Sequence, residues 1–184
     1  MQLVVLGLNH KTVSVDIREQ FAISEESARS GLRHLDEQEG IEEAVVLSTC
    51  NRTEIYAVLK NGAARKTLYQ FFLALSGNSE AKKEYFFYFE GEACIRHLFE
   101  VSSGLDSMVI GESQILNQIK TAYTMALSEK ATKTILNTLF HRAITTGKRV
   151  RTETRISYSA VSVSYAAVKL AEKILGGLDD RTAM

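Results

Sequence analysis

The order of its short strand-like segments constrains the fold of this chain more than any other feature of the sequence. Four segments have the apolar runs or the two-residue alternation of strands, and they are Leu3–Leu8, Ala44–Leu47, Glu54–Leu59 and Glu84–Phe89. Helical periodicity fills Ile17–Gln38, between the first two strands, and Ala64–Leu75, between the last two. The resulting order, β-α-β-β-α-β, predicts a ferredoxin-like α+β sheet layer.

After the fourth strand, every periodic segment is helical. The predicted helices are Glu92–Val101, Glu112–Lys130, Thr134–Arg151 and Ala160–Leu175. In the third of them, apolar or small residues recur at steps of three or four from Leu136 to Val150, a stripe that must face a core or another helix. We therefore expect a helical layer to follow the sheet layer.

Composition places the chain among ordinary globular proteins. It has 184 residues, of which 45% are hydrophobic and 24% charged, so intrinsic disorder is excluded. No apolar run approaches the roughly 18 residues that a membrane span requires, and we expect a cytoplasmic protein without membrane contact. Two cysteines and four scattered histidines offer no metal-ligand spacing, so no metal site is predicted.

Charge is balanced overall but segregated along the chain. Residues 25–43 carry seven acidic side chains against two arginines, whereas residues 130–155 carry seven basic side chains against one glutamate. Lys148, Arg151 and Arg155 follow one another at helical spacing and form a basic strip. The strip is either a solvated helix face or a surface that binds the phosphates of a polyanion.

Cys50 is the first candidate for chemistry, because it follows a buried strand at the start of a polar loop. Arg52 lies close enough in sequence to favour the thiolate, the form that attacks a carbonyl carbon. The alternative is a half-buried structural thiol, which is the usual state of a free cysteine. Cys94 lies among apolar helical residues and is predicted to be packing.

Two further segments contain candidate polar residues. His97 is either a hydrogen-bonded structural residue or, if it approaches Cys50, a proton donor or acceptor. A glycine-bounded loop, residues 104–111, leads to a helix on which Gln114 and Gln118 lie one turn apart. These glutamines either face water or line a site for a polar ligand.

Three motifs together resemble the catalytic domain of the glutamyl-tRNA reductases. They are Gly7–Thr12, Ser48–Tyr56 and His97–Lys120, which occur in the family's order over most of the chain. Asn117 departs from the pattern, where a smaller residue is expected. The resemblance implies reduction of the glutamyl group of glutamyl-tRNA to glutamate-1-semialdehyde with NADPH, the entry step of tetrapyrrole (haem) synthesis from glutamate.

The resemblance also implies roles for individual residues. Cys50 corresponds to the nucleophile that forms a thioester, and His97 to a histidine important for activity. The positions that correspond to substrate contacts are Thr49, Asn51, Arg52, Ser107, Glu112, Ser113, Gln114 and Gln118. Among them, Arg52 is expected to hold the glutamate carboxylate, whereas Glu112 and the glutamines are expected to bind its α-amino group.

Members of this family continue into an NADPH-binding domain and a helical dimerisation domain, but this sequence contains no G-x-G-x-x-G motif. We therefore predict a catalytic domain over 1–156, and over 157–184 a linker helix and the start of the NADPH-binding domain. Such a chain is expected to form the thioester without reducing it. The implied partners are glutamyl-tRNA, a second subunit bound through the absent C-terminal domain, and the downstream aminomutase.

Two other classes of protein fit parts of the sequence. A nonenzymatic RNA-binding module is one, because ferredoxin-like sheets bind RNA on exposed aromatic residues such as those in Tyr85–Phe89. That run lacks the glycine of RNA-binding motifs, which favours core packing instead. The other class is a Cys-His hydrolase, which would share the nucleophile but need neither tRNA nor NADPH.

Overall fold

A four-stranded antiparallel sheet forms the centre of the structure, a computed structural model that describes residues 1–112, 114–154, 156 and 163–177. The strands are β1 (Gln2–Asn9), β2 (Ile41–Ser48), β3 (Arg52–Leu59) and β4 (Phe87–Glu90). Their spatial order is β2-β3-β1-β4, with every neighbouring pair antiparallel. The predicted ferredoxin-like arrangement is confirmed.

Seven α-helices accompany the sheet in the described residues. They are α1 (Val15–Gln20), α2 (Glu25–Arg33), α3 (Arg65–Leu75), α4 (Gly91–Ser102), α5 (Gln114–Ser128), α6 (Thr134–Glu153) and α7 (Val163–Leu175). The sequence predicts one helical region over Ile17–Gln38, but the chain breaks it into α1 and α2. The break lies before Ser24, whose side chain accepts a hydrogen bond from the Ser27 amide and so caps α2.

The fourth strand begins three residues later than the sequence predicts. Lys83–Tyr85 forms a short 3-10 turn, and only Phe87–Glu90 pairs with β1. The rings of Tyr85 and Phe86 pack instead against Phe21, with centroid separations of 6.3 and 5.7 Å. Tyr85 and Phe86, which the sequence pattern assigns to the strand, therefore pack against Phe21 instead of extending the ladder.

Helices cover both faces of the sheet, which makes three layers. On one face α4, α5 and α6 pack against β1, β2 and β3, and on the other α2 and α3 pack against β2 and β3. All eight residues of β3 are buried as a result. The ring of Tyr56 on this strand meets Phe140 of α6 edge-on at 5.5 Å. The predicted helical layer is thus the cover of one face.

Glu43 joins the sheet to the helical layer. Its buried carboxylate accepts hydrogen bonds from the amides of Lys133, Ile135 and Leu136, at 2.7, 3.2 and 2.9 Å. These amides belong to the start of α6, which has no side-chain cap of its own. A strand residue therefore caps α6 from a distance and fixes its position over β2.

The last described helix, α7, has several large apolar side chains exposed. Val168, Leu170, Ile174 and Leu175 of α7 are exposed. The predicted boundary between 156 and 157 adjoins residues that lie outside the described part, so this division stays a prediction. Among the described helices, none combines the length and the apolar character needed to cross a bilayer.

Candidate functional site

Cys50 lies exposed at the tip of the β2–β3 hairpin. The turn is closed by the Thr49 amide, which donates to the Arg52 carbonyl at 2.8 Å. The Thr49 hydroxyl oxygen accepts in return from the amides of Asn51 and Arg52, both at 3.2 Å. Hydrogen bonds within the turn thus fix the backbone that carries the sulfur.

Neighbouring elements hold the same turn from outside. The His10 amide, just after β1, donates to the Asn51 carbonyl at 3.1 Å. Arg18 of α1 donates through Nε to the Cys50 carbonyl at 3.3 Å. Because the carbonyls of Cys50 and Asn51 are both engaged, the thiol is presented on a constrained backbone and not on a free loop.

A buried network of charged side chains lies behind the turn. Nη1 of Arg52 donates to Glu54 Oε1 at 2.9 Å and to Asp106 Oδ2 at 3.0 Å. Nη2 donates to the backbone carbonyl of Asp106, and Lys11 Nζ forms an ion pair with the Asp106 carboxylate. Arg52 and Glu54 are 1% and 0% exposed, so this arginine is an internal anchor. It ties the Cys50 turn to the loop that contains Asp106.

The charges within this network determine the ionisation of its carboxyl groups. Burial acts to raise the pKa of Glu54, but Arg52 and the hydrogen bond from His97 outweigh it and hold that pKa below its usual value. Burial likewise opposes Lys11 and Arg52 at Asp106, whose pKa is also lowered. Both carboxylates are therefore ionised at neutral pH, and each faces at least one cation.

His97 belongs to this network through Glu54. Its Nε2 donates to Glu54 Oε1 at 3.0 Å, and its ring packs against the rings of Phe87 and Phe89 at 5.0 and 5.3 Å. No hydrogen bond joins His97 to Cys50 within the described residues. The two predicted catalytic residues are connected indirectly, through Glu54 and Arg52.

Two cavities are lined in part by neighbours of the Cys50 turn. One, of about 410 Å³, is lined by Ser48 before the turn and by Gln114 and Gln118 of α5. The other, of about 360 Å³, is lined by residues that include Asn9, His97 and Asp106. Asn9 pairs with Arg52 across the β1–β3 ladder, whereas residues 49–52 themselves line neither cavity.

Comparisons with known proteins agree over nearly the whole chain. A family model described as "Glutamyl-tRNAGlu reductase, N-terminal domain" matches residues 6–154. Proteins named glutamyl-tRNA reductase from Geobacter metallireducens and Trichlorobacter lovleyi are 51% and 48% identical to this chain, and the alignments cover 100% of it.

The chain belongs to the glutamyl-tRNA reductase N-terminal domain family.

The solved structure of the glutamyl-tRNA reductase from Methanopyrus kandleri agrees with this assignment. It matches 93% of the chain with a TM-score of 0.75 and 37% sequence identity. The chain corresponds to 39% of that protein and to 43% of the two bacterial relatives, so it spans about two-fifths of their length.

The described residues that are expected to contact substrate in a glutamyl-tRNA reductase do not gather around one cavity. Thr49 and Asn51 shape the Cys50 turn, and Gln114 and Gln118 line the larger cavity. Ser107 is half-buried beside Asp106. Ser113 lies outside the described residues.

Glu112 and the basic strip differ from their predicted settings. Glu112 precedes α5 instead of lying within it, and its carbonyl accepts from Arg151 Nη2 at 2.7 Å. Arg151 is therefore engaged within the fold, whereas Lys148 is exposed. α6 ends at Glu153, and Arg155 lies outside the described residues, so its place in the strip stays a prediction.

Sequence reasoning missed the acidic members of the buried network. Glu54 is visible in the sequence only as a polar neighbour of Cys50, and Asp106 and Lys11 carry no pattern of their own. One signal was present: Arg52, Glu54 and Tyr56 alternate along a strand and so share one face. Three polar residues on a face that helices cover must bond to one another.

No group of three or more His, Cys, Asp or Glu residues in the described ranges is arranged to hold a metal ion. The sheet is wholly antiparallel, so it lacks the parallel β-α-β unit on which dinucleotides bind. The described sheet therefore does not supply the unit on which a dinucleotide such as NADPH commonly binds.

Proposed function

We propose that this chain accepts the glutamyl group of glutamyl-tRNA as a thioester on Cys50. The observation that carries the proposal is the exposed thiol on a turn whose carbonyls accept hydrogen bonds from Arg18 and His10. Ser48, two residues before Cys50, lines a cavity together with Gln114 and Gln118. Family membership supplies the substrate class, because the relatives are named for glutamyl-tRNA. A structural cysteine would have no need of such a setting.

The proposed step is an acyl transfer from oxygen to sulfur. The Cys50 thiolate attacks the carbonyl carbon of the aminoacyl ester, and the C–S bond forms as the bond from that carbon to the tRNA ribose oxygen breaks. The ribose oxygen leaves with a proton, and the tRNA is released with a free hydroxyl group. Splitting the reaction in this way replaces an ester with a thioester, which accepts a nucleophile or hydride more readily.

His97 is proposed to carry the proton from the Cys50 sulfur to the leaving ribose oxygen. An ionised Glu54 only accepts hydrogen bonds, so it fixes the proton of the neutral imidazole on Nε2 and leaves Nδ1 as the acceptor. His97 lines the cavity on the Asn9 side of the turn, where the leaving ribose would lie. Glu54 then acts as a positioning residue for the imidazole.

Arg52 has a narrower part in this proposal than the sequence predicts. Its two terminal nitrogens already bond to Glu54 and Asp106, and only Nε is buried without a partner. A bidentate grip on the glutamate carboxylate would require one of these bonds to break. Arg52 therefore holds the turn and offers at most one contact to the substrate, and Arg52→Lys should impair stability as well as use of glutamate.

The remaining functions are proposed for the whole protein. The relatives are more than twice as long as this chain. NADPH binding, reduction to glutamate-1-semialdehyde, dimerisation and delivery to the aminomutase are assigned to the longer enzyme. The chain by itself is expected to stop at the thioester and to release glutamate slowly by hydrolysis.

Intact-mass analysis after incubation with glutamyl-tRNA tests the proposal. The wild-type chain should gain the mass of one glutamyl group, which peptide mapping should place on Cys50. Cys94→Ser is the matched control and should acylate normally, because burial raises the pKa of Cys94 to about 12 and its sulfur is enclosed. An adduct that persists in Cys50→Ser would overturn the assignment, as would its absence from folded wild-type protein.

Contact with the tRNA is proposed for the exposed part of the basic strip. Lys148→Ala removes one charge without disturbing the Arg151 bond to Glu112. For a phosphate contact, the variant should bind tRNA more weakly, and its salt dependence should fall by about one contact's slope, ~0.7 to 0.9 in log–log units. An unchanged affinity and slope would make Lys148 a solvated side chain.

A further inference from the structure

A third cavity, of about 460 Å³, lies between α3 and the β1–β4 edge of the sheet. Its wall includes the rings of Tyr69, Phe86 and Tyr88, and its rim includes Arg65, Lys66 and Lys83. We call this space the Tyr88 groove. No residue of it belongs to the site around Cys50.

The Tyr88 groove lies on the opposite face of the sheet from the buried network. Tyr88 pairs with Leu6 across the β1–β4 ladder, and both line the groove. The next residue of β1, Gly7, has its Cβ direction toward Glu54, with that side chain's Cγ 2.8 Å away. Because successive strand residues point to opposite faces, the groove and Glu54 are separated by the sheet.

The three basic side chains of the groove form no ion pair with any described residue, and all three are exposed. No acidic side chain lines the groove itself. Glu90, two residues beyond Tyr88 on the same strand face, lies close enough to act on the Tyr88 hydroxyl. Arg65 and Lys66 stand in the first turn of α3, where the helix dipole favours acidic residues and disfavours cations. Stacking on Tyr88 accounts for Arg65, but helix stability does not account for Lys66, which an anionic ligand would stabilise.

The aromatic wall narrows the ligand class further. Cζ of Arg65 lies 3.9 Å from the centroid of the Tyr88 ring, so the guanidinium is stacked on it. Lys66 and Lys83 provide unpaired charges at the same opening. Planar stacking surfaces next to cations are the combination that binds nucleotides, since a base has a π-face and its phosphate a charge.

We propose that the Tyr88 groove binds a nucleotide, with the phosphate on Arg65, Lys66 or Lys83 and the base against the aromatic wall. The nucleotide is either free or a unit of single-stranded RNA. The groove does not depend on the thioester chemistry, because the sheet separates it from the Glu54 side of the site.

Binding measurements with defined probes test the groove. AMP is titrated by calorimetry, and a fluorescent single-stranded RNA and poly-glutamate are titrated by anisotropy. The test variants are Arg65→Gln combined with Lys83→Gln, and Tyr88→Leu. Lys173→Gln is the control, because it removes an exposed charge from α7. Circular dichroism verifies that each variant folds. If Tyr88→Leu does not fold, the variant that combines Arg65→Gln and Lys83→Gln still tests the proposal.

The expected result is binding of AMP, RNA or both that weakens about tenfold or more in the double variant, as loss of charged hydrogen bonds implies, and less than twofold in the control. Binding of AMP assigns a free nucleotide, and binding of RNA alone assigns an RNA unit. For RNA, the salt slope should fall by about 1.4, or 0.7 for each contact. Failure of both probes, an unaffected double variant, or equal binding of poly-glutamate would overturn the proposal.

The same variants separate this proposal from the acyl-transfer proposal. Mass analysis of the Cys50 adduct in the double variant reports on the thiol alone. A normal adduct with unchanged nucleotide binding would refute only the groove. Conversely, absence of the adduct from wild-type protein whose groove binds AMP would refute only the thioester.

Discussion

Nε2 of His97 lies 3.0 Å from Oε1 of Glu54, although the two residues are 43 positions apart in the chain. Their contact brings α4 against β3 at the point where Arg52 also reaches the carboxylate. The imidazole is consequently held by a buried anion and not by the thiol that it is proposed to serve. The same Arg52 leads from this pair to the Cys50 turn and to Asp106.

The Asp106→Asn substitution should destabilise the fold by about 3 kcal/mol at pH 7, since it leaves buried Arg52 short of one anionic partner. The pKa of Asp106 is lowered in the folded chain, so its contribution is complete above the unfolded value of about 3.9 and is lost as pH falls through the folded value. The difference from wild type should therefore shrink below about pH 4. Urea unfolding across this range measures it.

Glu92→Gln is the control for that experiment, because Glu92 forms an exposed ion pair with Arg96. It should change stability little at any pH. A difference between Asp106→Asn and wild type that stays constant from pH 7 to acid, or one as small as the control's, would contradict the expectation.

The Tyr56→Phe substitution should cost about 2 kcal/mol, the value of a buried hydrogen bond to a charged group. The Tyr56 hydroxyl donates to Glu54 Oε2 at 2.7 Å, whereas the ring contact with Phe140 is kept by phenylalanine. Thermal unfolding provides the measurement. Tyr69→Phe, which loses a half-buried bond to the Ala81 carbonyl, should cost less. Equal losses would mean that the charge and burial of Glu54 add no strength to its hydrogen bond from Tyr56.

Replacing the Glu43 carboxylate tests its role as the cap of α6. Glu43→Ala leaves three amides at the start of the helix without an acceptor and should destabilise by about 2 to 4 kcal/mol. Glu43→Gln retains one acceptor oxygen and should fall between the alanine variant and wild type. Chemical denaturation followed by far-UV circular dichroism gives the order. Equal stability of the glutamine and alanine variants would argue against capping.

Gly147 marks a close backbone approach between α6 and the end of α4. A Cβ at this position would lie 2.4 Å from the backbone oxygen of Ser102, so Gly147→Ala must move α6 away from α4 and should cost at least about 2 kcal/mol. Gly31→Ala is the matched helical control. Its Cβ would meet the flexible end of Leu75, and the gain in helix propensity should offset the adjustment. A comparison of unfolding midpoints distinguishes the two sites.

Local sequence patterns predicted helices and strands well where the residues of a segment suit only one kind of packing. The apolar runs of β1 and β2 and the alternation of β3 identify strands. Predictions of boundaries failed where a tertiary contact competes. Phe86 matches a strand in sequence but packs on Phe21 and leaves the ladder to Phe87. Aromatic residues satisfy both settings, so the sequence does not distinguish them.

For the site, local sequence was enough to predict Cys50 as the nucleophile candidate at the end of a strand, because a cysteine between an apolar strand and a polar turn has few places to lie. It also predicted that Gln114 and Gln118 share one helix face. The partners of Arg52 and His97 depend on the tertiary fold. Their partner Glu54 lies on a strand face that is polar in sequence but covered by helices, and Asp106 reaches Arg52 across 54 positions. Buried charges pair with whichever opposite charges the fold places next to them, and the local sequence does not predict which residues those are.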